Sequence, residues 1–202
     1  MTDGVELGAQ LTVEQAIANL VGPDLGLRFY AAWWIGRFNV RDDRAVTRLI
    51  AALEDEADRT ADGGYPLRRN AARALGKLGN AAAVPGLIAA LDCADSYVRE
   101  AAAQSLEMLG AADAVSKLVE RLRIGLDEDG ALVGEQPDLR EPYDAYLEAL
   151  GTLEAKNAIN WVTPFLAHPV QRTQYAAARA MYQLTGDDKY GQLLIEDRKS
   201  VV

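Results

Sequence analysis

The chain has 202 residues, half of them hydrophobic, with 21 Lys and Arg against 30 Asp and Glu and a formal charge of −9. Such a length can bury one substantial core, and the acidic balance argues against nucleic acid or an anionic membrane as the main partner. The single cysteine, Cys93, excludes an intramolecular disulfide framework, and no apolar run approaches the roughly 20 residues of a membrane span.

In chain order, the acidic start (Met-Thr-Asp-Gly-Val-Glu) lacks a signal-peptide profile, so a soluble, cytoplasmic protein is expected. Residues 1–10 read as an N-terminal arm, 11–196 as a single domain of about five helical pairs, and 197–202 as a polar tail. Five copies of one pattern fill that domain: a turn, an Arg-containing helix start, an Ala-rich helix, then Leu and a small residue. The clearest copies run Tyr65 to Gly79 and Ser96 to Gly110, offset by 31 residues, with degenerate copies near Gly26, Glu141 and Val170. Shorter apolar helices are expected at Val13–Leu20, Ala45–Leu53, Val84–Leu91, Val115–Leu122, Ile159–Leu166 and Tyr190–Glu196, from apolar residues three and four apart. Pro85 suits a first helical turn, and Gly79 and Gly110 suit left-handed C-caps. Two stretches break the rhythm, Asp55–Gly64 and Arg123–Arg140; each reads as a solvated loop or as a partner-binding element. No β-alternation persists long enough to define a strand.

Self-similarity at this period predicts an all-α solenoid of stacked helical hairpins, a HEAT-like crescent with a concave face for ligand or partner. The pattern resembles HEAT-like repeats, and that resemblance implies that the helix opened by the Val/Leu-Arg pair lines the concave side and the shorter apolar helix the convex side. At 100° per residue, Val98, Ala101, Ala102, Ser105, Leu106 and Leu109 face the core, and Glu100, Ala103, Gln104 and Glu107 face the groove. The equivalent groove positions are Phe29, Ala32, Trp33 and Gly36; Arg69, Ala72, Arg73 and Gly76; Asp144, Leu147, Glu148 and Gly151; and Tyr175, Ala178, Arg179 and Tyr182. The small residues in that set would leave room on the wall. Trp33 and Trp34 are adjacent, so at most one faces the groove.

This row is aromatic, then cationic, then acidic, then aromatic with one arginine. Paired arginines suit carboxylates through bidentate bonds. Clustered carboxylates suit hydrogen bonding to, or protonation of, ring N–H groups, and their mutual repulsion can raise their pKa. The ligand so described is flat, conjugated, carboxylate-bearing and rich in N–H groups. Phe29, Trp33, Arg69, Arg73, Tyr175 and Arg179 are the candidate binding residues; Glu100, Glu107, Asp144 and Glu148 are the candidate acids. Glu100 and Glu107 also fit plain solvated helix charges. Arg28, Arg68 and Arg99 recur at one equivalent position and read as a structural ladder. The one histidine, His168, gives no material for a His triad or a multi-His metal site, so no metal is expected. Cys93 has no base near it in sequence and reads as a small, half-buried side chain.

Leu11-Thr-Val-Glu-Gln-Ala-Ile-Ala-Asn-Leu20, Arg28-Phe-Tyr-Ala-Ala-Trp-Trp-Ile-Gly-Arg-Phe38 and Leu49-Ile-Ala-Ala-Leu-Glu-Asp-Glu-Ala-Asp-Arg59 resemble the E subunits of the E/F-type phycobilin lyases of cyanobacteria. So do Gly63-Gly-Tyr-Pro-Leu-Arg-Arg-Asn-Ala-Ala-Arg73, Tyr97-Val-Arg-Glu-Ala-Ala-Ala103 and Gln174-Tyr-Ala-Ala-Ala-Arg179. The resemblance runs from about Leu11 to Tyr190. It implies a heterodimer with an F subunit, itself a HEAT-repeat chain, that attaches phycocyanobilin through a thioether to a cysteine of the phycocyanin α subunit. The bilin would be substrate, with no intrinsic cofactor, and the nucleophile would belong to the substrate protein. A bilin carries two propionates and pyrrole N–H groups, in agreement with the ligand drawn from the wall residues. Arg69 and Arg73 are then expected on the propionates, the aromatic residues on the ring faces, and the acids on the tetrapyrrole. The alternative is a non-catalytic HEAT module that carries bilin or engages phycobiliproteins in phycobilisome assembly or degradation.

Overall fold

Helix starts follow the local chemistry of the chain. Ahead of α1 (Val13–Asn19), Thr12 Oγ1 accepts the Gln15 N–H at 3.2 Å and Gln15 Oε1 accepts the Thr12 N–H at 2.9 Å, a reciprocal capping box. Asp24, Asp42 and Asp95 cap α2 (Leu25–Arg37), α3 (Asp43–Ala52) and α6 (Ser96–Met108) through their carboxylates. Prolines 66 and 85 occupy the first turns of α4 (Pro66–Leu78) and α5 (Val84–Ala90), where a missing N–H costs little. α7 (Val115–Arg123), α8 (Tyr143–Thr152), α9 (Ile159–Val162) and α10 (Gln171–Thr185) complete the order. This computed structural model describes residues 11–133 and 140–193. The expected arm and tail lie outside those residues, as does the end of the Tyr190–Glu196 helix, whose described part is helical.

The even-numbered helices α2, α4, α6, α8 and α10 stack in chain order as one layer, and α1, α3, α5, α7 and α9 lie against it as a second. Between them runs a core of Leu, Ile, Val and Ala side chains, with Leu49, Leu75, Leu91, Leu106, Leu118 and Leu150 fully buried. Short 3₁₀ turns, Ala81–Ala83, Ala112–Ala114 and Lys156–Ala158, precede α5, α7 and α9, and the last Ala of each is fully buried. The architecture is the all-α HEAT-like solenoid expected from the repeat. Among the described residues the one isolated β-bridge joins Leu126 and Leu132.

Two expectations need correction. The helix drawn over Ile159–Leu166 stops at Val162 and continues as a 3₁₀ turn, Thr163–Ala167, because Pro164 offers no N–H to an α-helical ladder. The small wall residues do not open the groove. Ala32, Gly36, Ala72, Gly76, Ala103, Gly151 and Ala178 are buried, and so is Leu147. They form the seam between successive inner helices. A Cβ on Gly36 would lie 2.8 Å from Ala74 Cα, one on Gly76 2.9 Å from Ser105 Cα, and one on Gly151 2.8 Å from Ala180 Cα. Ser105 adds a polar stitch across the α4–α6 seam, donating its hydroxyl to Ala72 O at 2.8 Å.

The repeated arginines are the ladder expected of them. Arg28 Nε donates to Leu20 O at the end of α1, and its guanidinium pairs with Asp55. Arg68 reaches Asp55 O at 2.8 Å and Glu54 O at 3.1 Å beyond α3, pairs with Glu56, and lies 4.0 Å over the Tyr65 ring. Arg99 donates to Cys93 O at 2.7 Å and Ala94 O at 3.0 Å beyond α5, to Arg140 O at 2.7 Å, and pairs with Glu141 at 3.2 Å. Each arginine thus satisfies carbonyls at the end of the preceding outer helix or in the turn that follows it. The interruption Asp55–Gly64 serves the same frame: Asp58 accepts the Leu67 N–H at 2.5 Å and so caps α4 from a distance, while Glu56 accepts the Tyr65 hydroxyl.

Candidate functional site

What the inner layer displays is set by the seam: with the small residues facing neighbouring helices, the next positions around each helix face outward. On α2, Phe29 and Trp33 are exposed, Trp33 at 45%, and Trp33 stacks on Tyr30 at 5.5 Å. Trp34 instead packs half-buried on the core beside Phe38, 4.8 Å away. Asn70 on α4 donates to Phe29 O at 3.3 Å, which holds the start of α4 level with that aromatic pair.

Arg69 and Arg73 lie one turn apart on α4, half-buried and exposed respectively. Among the described residues neither forms an ion pair, in contrast to Arg28, Arg68 and Arg99. Arg69 stands 5.6 Å over the Tyr97 ring, and its Nε is buried without a hydrogen-bond partner. A cation on the wall that pairs with no carboxylate among the described residues is equipped to take an anion.

Beyond α4 the wall turns acidic. Glu100 and Glu107 on α6 and Asp144 and Glu148 on α8 are all partly buried. Gln104 donates to Glu100 Oε1 at 3.4 Å, and Thr152 donates to Glu107 Oε1 at 2.7 Å. Arg172, in the first turn of α10, reaches back over α8 to pair with Asp144 and, at 3.7 Å, with Glu100. Burial raises the Glu148 carboxyl above the ordinary carboxylate range; the nearby Glu107 and Asp144 push the same way, and Arg179 and Arg172 oppose them. Glu148 is therefore the wall carboxyl best suited to carry a proton. Tyr175 accepts a hydrogen bond from Gln171 at 2.6 Å, and Arg179 is exposed beside Glu148.

All ten candidates expected from sequence reach solvent. The structure joins Glu100 with Asp144 through Arg172 and sets Glu107, Asp144 and Arg179 within electrostatic reach of Glu148; Phe29 and Trp33 sit on α2, at least two helices along the stack from that group. Sequence reasoning missed Tyr97 and Arg172. Both lie in the first turn of their helices, each three residues ahead of a candidate on the same face, Glu100 and Tyr175. Tyr97, Glu100, Pro142, Asp144 and Arg172 line one cleft at the N-terminal ends of α6 and α8. Elsewhere, Cys93 is half-buried with Arg68 4.0 Å from its Sγ. Among the described residues no three metal-ligating side chains gather, and no helix is long and apolar enough to cross a membrane.

Two family models match the chain: HEAT repeats over residues 57–132 and PBS lyase HEAT-like repeat over residues 27–55. The phycocyanobilin lyase subunit alpha of Nostoc sp. (strain PCC 7120) is 61% identical over 191 residues, covering 95% of this chain and 69% of the relative. That of Picosynechococcus sp. is 54% identical over 186 residues, covering 92% and 69%. The bilin biosynthesis protein PecE of Mastigocladus laminosus is 45% identical over 188 residues, covering 93% and 64%. Among solved structures, the complex of CpcE and CpcF of phycocyanin lyase from Nostoc sp. PCC7120 matches at a TM-score of 0.85 and 60% identity, over 95% of this chain and 72% of that one.

Proposed function

The chain belongs to the phycocyanobilin lyase alpha-subunit family, and from that membership we propose that it is one subunit of a heterodimeric lyase. With an F-type partner it attaches phycocyanobilin through a thioether to a cysteine of the phycocyanin α subunit, in the cyanobacterial cytoplasm. The observation that carries the reading is the sequence of charges on the inner wall. Two arginines that form no ion pair among the described residues stand next to a strip of four carboxylates, one of which burial holds toward its protonated form.

Each part of a bilin has a counterpart there. Arg69 and Arg73 take propionate oxygens through charge-assisted bonds. Phe29, Trp33 and Tyr175 offer ring faces, with Arg179 near the acid strip. Glu100, Glu107 and Asp144 accept pyrrole N–H groups, and Glu148 donates a proton to the tetrapyrrole, which makes its ethylidene carbon electrophilic. The acceptor cysteine then adds across that double bond: its sulfur bonds the exocyclic carbon and a proton ends on the ring carbon. The bilin is substrate here rather than a resident cofactor. The nucleophile comes from the acceptor protein, so half-buried Cys93 has no part in the step.

The test is co-expression with an F-type partner, an apo α subunit and bilin biosynthesis, read as zinc-enhanced fluorescence of the denatured adduct. Arg69→Gln/Arg73→Gln is expected to cut adduct yield about tenfold or more, and Glu148→Gln roughly a hundredfold at unchanged bilin binding. Activity should fall as pH rises through the elevated Glu148 pKa, a limb that Glu148→Gln lacks. Adduct no greater than spontaneous attachment would refute the enzyme reading; bilin binding without adduct would turn the chain into a carrier.

A further inference from the structure

Among the arginines of the inner helices, those that form ion pairs are of two kinds. Arg28, Arg68 and Arg99 bond backbone carbonyls and are built into the frame. Arg172 differs: its side chain is 72% exposed, and it contacts only two carboxylates, bonding no backbone carbonyl among the described residues. The carboxylates it meets are the fixed members. Asp144 and Glu100 have side chains only 15% and 22% exposed, on two different helices of the stack. An exposed guanidinium is weakly held in water, and Arg172 can turn away without unpairing a backbone carbonyl; Asp144, mostly buried, then lacks its counter-ion unless a ligand N–H replaces the guanidinium. Arg69 of α4, which forms no ion pair among the described residues, lies against the Tyr97 ring of α6, on the side of that helix away from α8.

We propose that Arg172 is an exchangeable counter-ion: it covers Asp144 and Glu100 until a ligand carboxylate takes its guanidinium over, and both acids then accept ligand N–H groups. The inference rests on the bilin reading above and adds a mechanism of entry to it. A ligand with only N–H groups would have to compete with Arg172 for the acids. A ligand with only carboxylates would draw Arg172 away and leave the acids uncovered, facing its own negative charge. One that carries both completes the exchange, with Arg69 and Arg172 on either side of the Tyr97–Glu100 strip. The wall thus selects for the combination rather than for either group alone.

The experiment is an absorbance titration of the chain, with its partner subunit, against phycocyanobilin and against its dimethyl ester, which keeps the N–H groups and lacks both carboxylates. Arg172→Gln should weaken the diacid about five- to tenfold and leave or slightly strengthen the ester. Asp144→Asn, which releases Arg172, should tighten the diacid a few-fold and weaken the ester. Circular dichroism melts of both variants should stay within about 2–4 °C of wild type, since neither side chain bonds a backbone carbonyl among the described residues. If Arg172→Gln shifts diacid and ester equally, the exchange is wrong while the bilin reading stands. If wild type takes up neither form, both fall together.

Discussion

Replacing Arg99 with methionine tests whether the arginine ladder holds the stack together. Arg99 is 5% exposed, and its guanidinium serves three carbonyls and the Glu141 carboxylate. Methionine keeps most of the stem's packing and removes every polar contact. Counted one by one, three charge-assisted bonds at about 1.5–3 kcal/mol each would suggest roughly 5–9 kcal/mol. That sum is too high, because Glu141 keeps Arg121 at 2.5 Å and water can reach some of the freed carbonyls. The cost of breaking a buried pair, about 3–5 kcal/mol, is the better figure. At about 2–4 °C per kcal/mol for a chain of this size, the melting midpoint should drop by roughly 6–20 °C. Arg172→Met, which removes an exposed pair, should cost under about 1 kcal/mol. Thermal and urea unfolding followed by circular dichroism measures both. A loss for Arg99→Met no larger than that for Arg172→Met would refute the structural role of the ladder. Arg99→Lys should recover only part, since an ammonium cannot span carbonyls of two segments as the planar fork does.

The seam and the lone imidazole give two more tests. Gly76→Ala places a methyl 2.9 Å from Ser105 Cα, so α4 and α6 must part, at a cost of about 1–3 kcal/mol in the same melts; a neutral result would contradict the close approach. His168 is buried, accepts the Val170 N–H at Nδ1, and has Nε2 without a partner, and burial lowers its pKa from the ordinary value of 6.5. Its folded value lies below its unfolded one, so stability is full above about pH 6.5 and is lost as pH falls. The single imidazole proton pair in the NMR spectrum should titrate below 6.5, and a midpoint at or above that value would refute the burial argument.

The frame was legible in sequence because stacked copies repeat their physics. Arg28, Arg68 and Arg99 each solve the same problem of spare carbonyls, and three of the five copies therefore show an arginine at one offset. The faces of α6 were legible for the same reason, down to Ser105 on the buried side. The direction of the small residues was not. A helical wheel tells which residues share a face, but it does not show that a neighbouring inner helix covers Ala103 or Gly151. Arg172 escaped because its role depends on reaching carboxylates on two other helices, a contact that no offset within one copy encodes. Glu148 could be picked out as acidic, but its burial beside Glu107 and Asp144 belongs to the assembled wall.

The glycine and alanine seam has a consequence for chemistry. Helices that meet through side chains of ordinary size sit toward the far end of the 8–10 Å range of axis separations, whereas glycine contacts bring them to the near end. One arginine is only about 7 Å long from Cα to guanidinium, yet Arg172 on α10 touches carboxylates on both α8 and α6. Gly151 lets α10 lie directly on α8, about two turns along from that contact. A methyl group at Gly151, invisible from the groove and carrying no charge, would press on α10 at Ala180. Charge relations on the wall are thus governed by atoms that never face it, and a family member could retune its ligand preference by widening a seam while keeping every wall residue it has.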